Sequence, residues 1–301
     1  IRIRGHSSPY LPKKTYKLET WNNRREDKNV SLLGLPAESD WALYGPILDK
    51  TLLRNLLAYQ WSNEIGRYAP RTRLVEMFLN TNGGDVKMGD LGTVPTYIDE
   101  ALYYPNGPDF AYDGEYVGVY LLTEKLTRDK DRVDIEKLED YHNSEPEITG
   151  GYLIQHDCCH SGSGDFSNTI VGTWLLEDPK PDEATSTQKT WILNYLTSFI
   201  NTLKGASFAD PVNGYSQYID AGSFMDHFWL QEMMRNVDAY VVSAFMFKDR
   251  LGKLHMGPLW DFNAALGHMN FMSGEYTAGW DYPLRGFDPV ANIFPRLRQD
   301  P

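Results

Sequence analysis

The chain is short of cysteine, of positive charge and of long apolar runs, and each shortage removes a class of function. Its two cysteines are adjacent, in His156-Asp157-Cys158-Cys159-His160. A structural zinc site draws its ligands from separated knuckles, and the sequence has no second cluster. Neighbouring cysteines would form only a strained disulfide, so a strand end with buried thiols is the expectation. Lys and Arg number 29 against 41 Asp and Glu, a net charge of −12. That balance argues against nucleic acid or an anionic membrane as main partner, and it suits a metal site or a basic protein substrate. No apolar run approaches the ~20 residues that span a bilayer. Repeats, heptads and a signal peptide are absent too. The chain opens in mid-strand at Ile1-Arg2-Ile3-Arg4 and stops at Asp300-Pro301, so a piece of a longer protein is expected. What is present is ample apolar and aromatic material, 42% and 13% of 301 residues. That is enough for one large domain or two lobes with real cores.

The most informative stretch runs from Arg235 to Gly267. Ala239 to Phe247 is rich in β-branched and aromatic residues, Lys248 to Lys253 is a polar turn with Gly252, and Leu254 to Trp260 returns as a second strand. A hairpin of this kind carries Asp238 and Asp261 to the same end. Two carboxylates at one rim can hold a divalent metal and take a proton from a hydroxyl. They can equally be ordinary strand-end aspartates in turns.

Earlier in the chain, Ile1 to Arg4 and Lys13 to Glu19 alternate as strands around Gly5-His6-Ser7-Ser8. Backbone N–H groups and lysines converging there can bind phosphate, or form a solvated surface hairpin. Lys13 and Lys17 share a strand face, so spacing does not choose between them. Asn29 to Tyr44 reads as loop. Asp49 is the expected N-cap of a helix from Lys50 to Ile65, with Leu52, Leu53, Leu56, Leu57, Trp61 and Ile65 on its apolar face. Arg54 and Asn55 lie within that pattern and are candidates to face a site. Arg73 to Asn80 is an expected strand ending in a Gly83-Gly84 turn, and 85–108 receives no element. Tyr116 to Lys125 reads as a central strand buried on both faces. A charged stretch from Thr127 to Arg132 marks a boundary, giving lobes at 1–125 and 126–301. Gly150 to Gln155 is a strand, Asp178 to Thr187 a linker and Thr190 to Leu203 a helix. Ser223 and Asp226 suggest a capping box for a helix from Phe224 to Met234, with Phe224, Phe228, Trp229 and Met233 as core. Strands with one helix, then mostly helices around a hairpin, read as α+β in two lobes.

Assembled in order, these segments resemble the CotH kinase family, named for spore coat protein H. The resemblance rests on Ile3-Arg4-Gly5-His6-Ser7-Ser8, Pro12-Lys13-Lys14-Thr15-Tyr16-Lys17-Leu18 and Asp49-Lys50-Thr51-Leu52-Leu53-Arg54-Asn55. It continues through Gly118-Val119-Tyr120-Leu121-Leu122-Thr123-Glu124-Lys125, Gly150-Gly151-Tyr152-Leu153 and Gly257-Pro258-Leu259-Trp260-Asp261-Phe262-Asn263. It implies an atypical protein-kinase-like fold, with a strand-rich N-lobe carrying one main helix and a more helical C-lobe. It implies ATP-dependent phosphoryl transfer to Ser or Thr of a protein, with Mg²⁺ or Mn²⁺. Asp238 would be the catalytic aspartate and Asp261 the metal-binding one, joined by Ser243 and Asn263. Arg4, Ser7, Ser8, Lys13 or Lys17, and Glu124 would surround the nucleotide. Ser243 stands where kinases place a metal-binding Asn, Asn263 where the family often has Asp, and His6 where Asn is common. A degenerate, non-catalytic binding or adhesion module is the alternative. The expected partner is a Ser-rich surface or coat protein, and the expected location is secreted, cell-surface or spore-coat associated.

Overall fold

Residues 1–5, 8–79, 116–157, 165–276, 278–285 and 292–300 are described by the computed structural model. Ser7, His6, Cys158, Cys159 and the expected Gly83-Gly84 turn with the stretch after it lie outside them. The chain divides into two compact units, 1–52 with 71–125, and 53–70 with 126–301. Among the described residues the architecture is α+β, with two antiparallel sheets and four helices.

Alternating side chains build the first unit's sheet. Its strands are β1 (Arg2–Arg4), β2 (Thr15–Glu19), β3 (Asp40–Tyr44), β4 (Thr72–Phe78) and β5 (Tyr116–Glu124), in the order β1-β2-β3-β5-β4. β5 is internal as expected, with Leu122 opposite Leu43 on one side and Arg73 on the other. Only its second half, from Tyr120, is buried, however, and Tyr116 to Val119 are half-buried. β3 falls within a stretch expected to be loop. Trp41 and Leu43 supply the apolar period of that short strand, and they join Leu35, Met77, Tyr120 and Leu122 in one buried cluster.

The second unit's sheet comprises β6 (Tyr152–His156), β7 (Asp165–Asn168), β8 (Gly172–Asp178), β9 (Ala244–Lys248) and β10 (Leu254–Met256), ordered β10-β9-β6-β8-β7. Helices α2 (Ser186–Lys204) and α3 (Ala221–Met234) contribute Ile192, Leu196, Phe199, Phe224 and Phe228 to its main core. A full capping box of Thr185 and Gln188 starts α2 within the expected linker. α3 starts on Asp220, whose carboxylate accepts the Ser223 N–H at 2.7 Å, while Asp226, expected to complete a capping box, instead pairs with Arg67 at 2.6 Å. Phe224 and Phe228 are core as expected, but Trp229 and Met233 are 53% and 58% exposed. A short α4 (Ile293–Leu297) packs Ile293 and Phe294 into the same core.

Helix α1 (Arg54–Glu64) differs most from expectation. Leu52 sits at φ +63, in the left-handed region, and this stops the helix from beginning at Lys50. Asp49 instead forms a separate turn, accepting the N–H and hydroxyl of Thr51 at 3.1 and 2.6 Å. The buried residues of α1 are Asn55, Ala58, Tyr59 and Ser62, not the leucine stripe. The helix therefore turns a polar face inward, within the second unit.

The Trp41 ring is fully buried in the first unit, whereas Trp21 is 54% exposed. Trp41→Ala should cost about 3–5 kcal/mol in a urea titration, and Trp21→Ala less than about 0.5 kcal/mol. Equal effects would contradict this assignment of the core.

Candidate functional site

The hairpin expected around Asp238 and Asp261 forms, but it is shorter than the sequence suggested. β9 and β10 pair with Met256 opposite Met246 and Leu254 opposite Lys248. The buried Lys248 ammonium anchors it, donating to the carbonyls of Thr149 at 2.5 Å and Gly252 at 2.7 Å. Both aspartates lie beyond the ladder on loops leaving the same end. Asp238 belongs to the turn joining α3 to β9, where its carbonyl accepts the N–H groups of Val241 and Val242 at 3.3 and 3.2 Å. Tyr240 and Ser243 have φ of +68 and +54 there, which prevents the expected strand from starting at Ala239.

One buried side chain joins the two loops. Asn236, 2% exposed, accepts the Asp238 N–H on Oδ1 at 3.4 Å and donates from Nδ2 to the Asp261 carbonyl at 3.4 Å. The first contact is an Asx-turn, which short polar side chains form readily. Beneath the Asp261 loop, α1 supplies a second set of ties. Tyr59 Oη accepts the Asp261 N–H at 3.1 Å, Asn55 Oδ1 accepts the Phe262 N–H at 2.6 Å, and Arg54 Nε donates to the Ala265 carbonyl at 2.8 Å. Asn55 and Tyr59 are one helical turn apart and share a face. Tyr59 also stacks on Trp260, centroids 6.2 Å apart, and Phe262 is fully buried beside Ala58, Leu230 and Met234. Asp261 is held at φ +62 by these contacts. A non-glycine residue there costs of order 1–3 kcal/mol, and such conformations persist only when the surroundings over-determine them.

The donor set at this loop fits a hard cation. Asn263 Oδ1, next but one to Asp261, is buried and has no hydrogen-bond partner among the described residues. An unpaired buried carbonyl oxygen costs about 1–3 kcal/mol unless a donor or cation satisfies it. No group of three His, Cys, Asp or Glu side chains that could hold a metal exists among the described residues. Mg²⁺ does not need one, because it binds through one or two carboxylates with water and substrate phosphates. Ser243 lies just before β9, in the left-handed region noted above.

In the first unit the two candidate lysines separate. Lys13 precedes β2 and so does not share a strand face with Lys17. Its Nζ donates to the Val119 carbonyl at 2.5 Å and lies 4.7 Å from the Tyr120 ring centroid. Gly118 makes room for it, since a Cβ there would meet that ammonium at 3.1 Å. Burial pulls the Lys13 ammonium down to about 8. Lys17 is ion-paired with Glu19 and, at 3.2 Å, with Asp40. Burial alone would lower it, but those carboxylates hold it above its ordinary value. Glu124 is buried, and Arg71 occupies both its oxygens through Nε at 2.9 Å and Nη2 at 2.8 Å. Arg4 ends β1 opposite Thr15. Gly5 is left-handed at φ +99, and Ser8 opens a short 3₁₀ turn, Ser8–Tyr10.

The description "CotH kinase protein" belongs to the family that matches residues 1–301, the whole chain. The chain belongs to the CotH kinase family. Comparison with curated proteins returns no match. In this CotH-family chain, Asp238, Asp261 and Asn263 come together on loops of one unit, while Lys13, Lys17, Arg4 and Glu124 belong to the other. Sequence reasoning missed Asn236 and Tyr59. Only Asn236 carried a usable signal, an Asx residue two positions before an aspartate at a helix end.

The lysines give the sharpest test of this geometry. Competitive acetylation read by mass spectrometry should place the half-reaction point of Lys13 near pH 8, because its proton leaves as pH rises through that value. Lys17 should titrate above the usual lysine range. Matching profiles would contradict the separation.

Proposed function

We propose that this CotH-family chain is an atypical protein kinase, transferring the γ-phosphoryl group of ATP to Ser or Thr of a protein. The observation that carries the reading is the pairing of the Asp238 and Asp261 loops through Asn236, with an unsatisfied Asn263 oxygen beside Asp261. On this reading the two compact units are the lobes of a kinase-like fold. Asp238 orients the acceptor hydroxyl and accepts its proton as the oxygen bonds to the γ-phosphorus and the bond to ADP breaks. Asp261 and Asn263, with Ser243 as a weaker candidate, hold Mg²⁺ or Mn²⁺. The ion, when bound, neutralises phosphate charge. Lys13 is preferred to Lys17 as the phosphate ligand, since Lys17 already has two carboxylates. Lys13 is still an ammonium at neutral pH. Glu124 braces Arg71, so an adenine at that strand end would be read by backbone groups and not by the Glu124 carboxylate. Arg4, Ser7 and Ser8 stay candidates for phosphate contacts from the first loop. The substrate is proposed to be a Ser-rich surface or coat protein, met outside the cell or on a spore.

A non-catalytic binding or adhesion module is the second reading, favoured by Ser243 where kinases place Asn and by Asn263 where the family often has Asp. Radiolabel transfer to a Ser-rich acceptor, with an ATP·Mg titration and a melt beside it, separates the two. Asp261→Asn should weaken ATP·Mg binding ~10-fold or more, since it removes a metal ligand. Asp238→Asn should lower kcat by ~10²-fold or more with ATP affinity nearly unchanged. Nucleotide binding without transfer in the parent protein would favour the module. Unaltered transfer by folded Asp238→Asn would remove that residue from the mechanism.

A further inference from the structure

The Asn236 carboxamide has its orientation dictated by atoms that cannot exchange roles. The Asp238 backbone nitrogen can only donate and the Asp261 carbonyl can only accept, so Oδ1 faces the first and Nδ2 the second. Nδ2 has a second hydrogen, and it goes to Gln231 Oε1 at 3.2 Å. That fixes Gln231 in turn, leaving its Nε2 toward His227 Nε2 at 3.2 Å. Gln231 and His227 face each other one turn apart on α3. An amide nitrogen has hydrogens and no lone pair to offer, so His227 Nε2 must accept. A neutral imidazole that accepts on Nε2 carries its proton on Nδ1.

Burial enforces the neutral form. His227 is 4% exposed, and its surroundings push its pKa down to about 3. Its Nδ1 is buried and has no hydrogen-bond partner among the described residues. The alternative tautomer would set an Nε2–H against an amide N–H. Rotating Gln231 to relieve that clash would put its nitrogen against Asn236 Nδ2, and the misfit would pass to the two loops.

We infer that Gln231 and His227 are positioning residues of the proposed active site: through a one-way chain of hydrogen bonds they hold the Asn236 carboxamide that ties the Asp238 loop to the Asp261 loop, and His227 reports the state of that chain through its tautomer. The catalytic part of this inference rests on the kinase reading, whereas the tautomer does not. Neither residue touches substrate in this account. The chain keeps the Asn236 donor aimed at Asp261 in an environment where an unpaired polar group is costly.

The test is ring-nitrogen NMR of the whole chain labelled with ¹⁵N-histidine, the His227 signals being assigned from a His227→Asn spectrum. The parent should show the Nδ1–H tautomer. Asn236→Asp turns the donor facing Gln231 into an acceptor, so Gln231 should flip its amide and present its carbonyl to His227. The imidazole proton should then move to Nε2, two links away from the substitution. Gln231→Glu, which can only accept from His227, should give the same switch and serves if Asn236→Asp does not fold. In transfer assays Asn236→Asp should lower kcat, by up to about 10²-fold for loops displaced on the ångström scale, with a much smaller change in KM for ATP. An Nε2–H tautomer in the parent would overturn the inference, as would an unchanged tautomer in the folded variants. A switched tautomer with unchanged kcat would remove the positioning role. Absence of transfer in the parent would count against the kinase reading and leave the hydrogen-bond chain to be decided by the tautomers.

Discussion

Two loops that carry the candidate carboxylates leave a short hairpin beyond its ladder, and the buried Asn236 carboxamide bridges them. Asn236 suits the task because it offers a donor and an acceptor on one rigid plane, matched to a carbonyl on one loop and an N–H on the other. A carboxylate at this position would repel the Asp261 carbonyl, and an aliphatic side chain would remove both hydrogen bonds. The turn at Asp238, the left-handed backbone at Asp261 and the polar face of α1 all follow from the need to satisfy backbone groups where regular structure has ended.

Helix α1 shows how such a demand reshapes an element. Its inner face holds Asn55, Ala58, Tyr59 and Ser62, so it buries hydrogen-bonding groups that meet the Asp261–Ala265 backbone. A hydrophobic-pattern argument selects the opposite side, since Leu53 and Ile65 look like core and are exposed. Arg54 and Asn55 lie within that amphipathic pattern and were candidates to face a site. They prove to be ties to the backbone after Asp261.

Strands β5 and β6, the hairpin turn and the bodies of α2 and α3 were legible because each expresses one period over enough residues. Tyr116 to Leu122 carries no charged residue, and the strand lies inside its sheet. The shared end of Asp238 and Asp261 was legible too, as a consequence of hairpin register. What was not legible depends on contacts distant in sequence. Spacing gave Lys13 and Lys17 equal standing, and the structure parts them because Asp40 comes from β3 and Val119 from β5. The start of α1 was misjudged because Leu52 takes a left-handed backbone, and that of α3 because Asp220 caps it in place of Ser223. The link from His227 through Gln231 to Asn236 has only an i, i+4 spacing to announce it, common in any helix.

The central claim is that the Asp238 and Asp261 loops form one metal–nucleotide site. Its most direct measurement is paramagnetic broadening of backbone amide signals by Mn²⁺ bound with a non-hydrolysable ATP analogue. The account predicts that amides of both the Asn236–Val241 and Asp261–Ala265 segments broaden together, saturating at one analogue concentration, with Asp261→Asn weakening both in parallel. Broadening confined to one segment, or elsewhere in the chain, would contradict it.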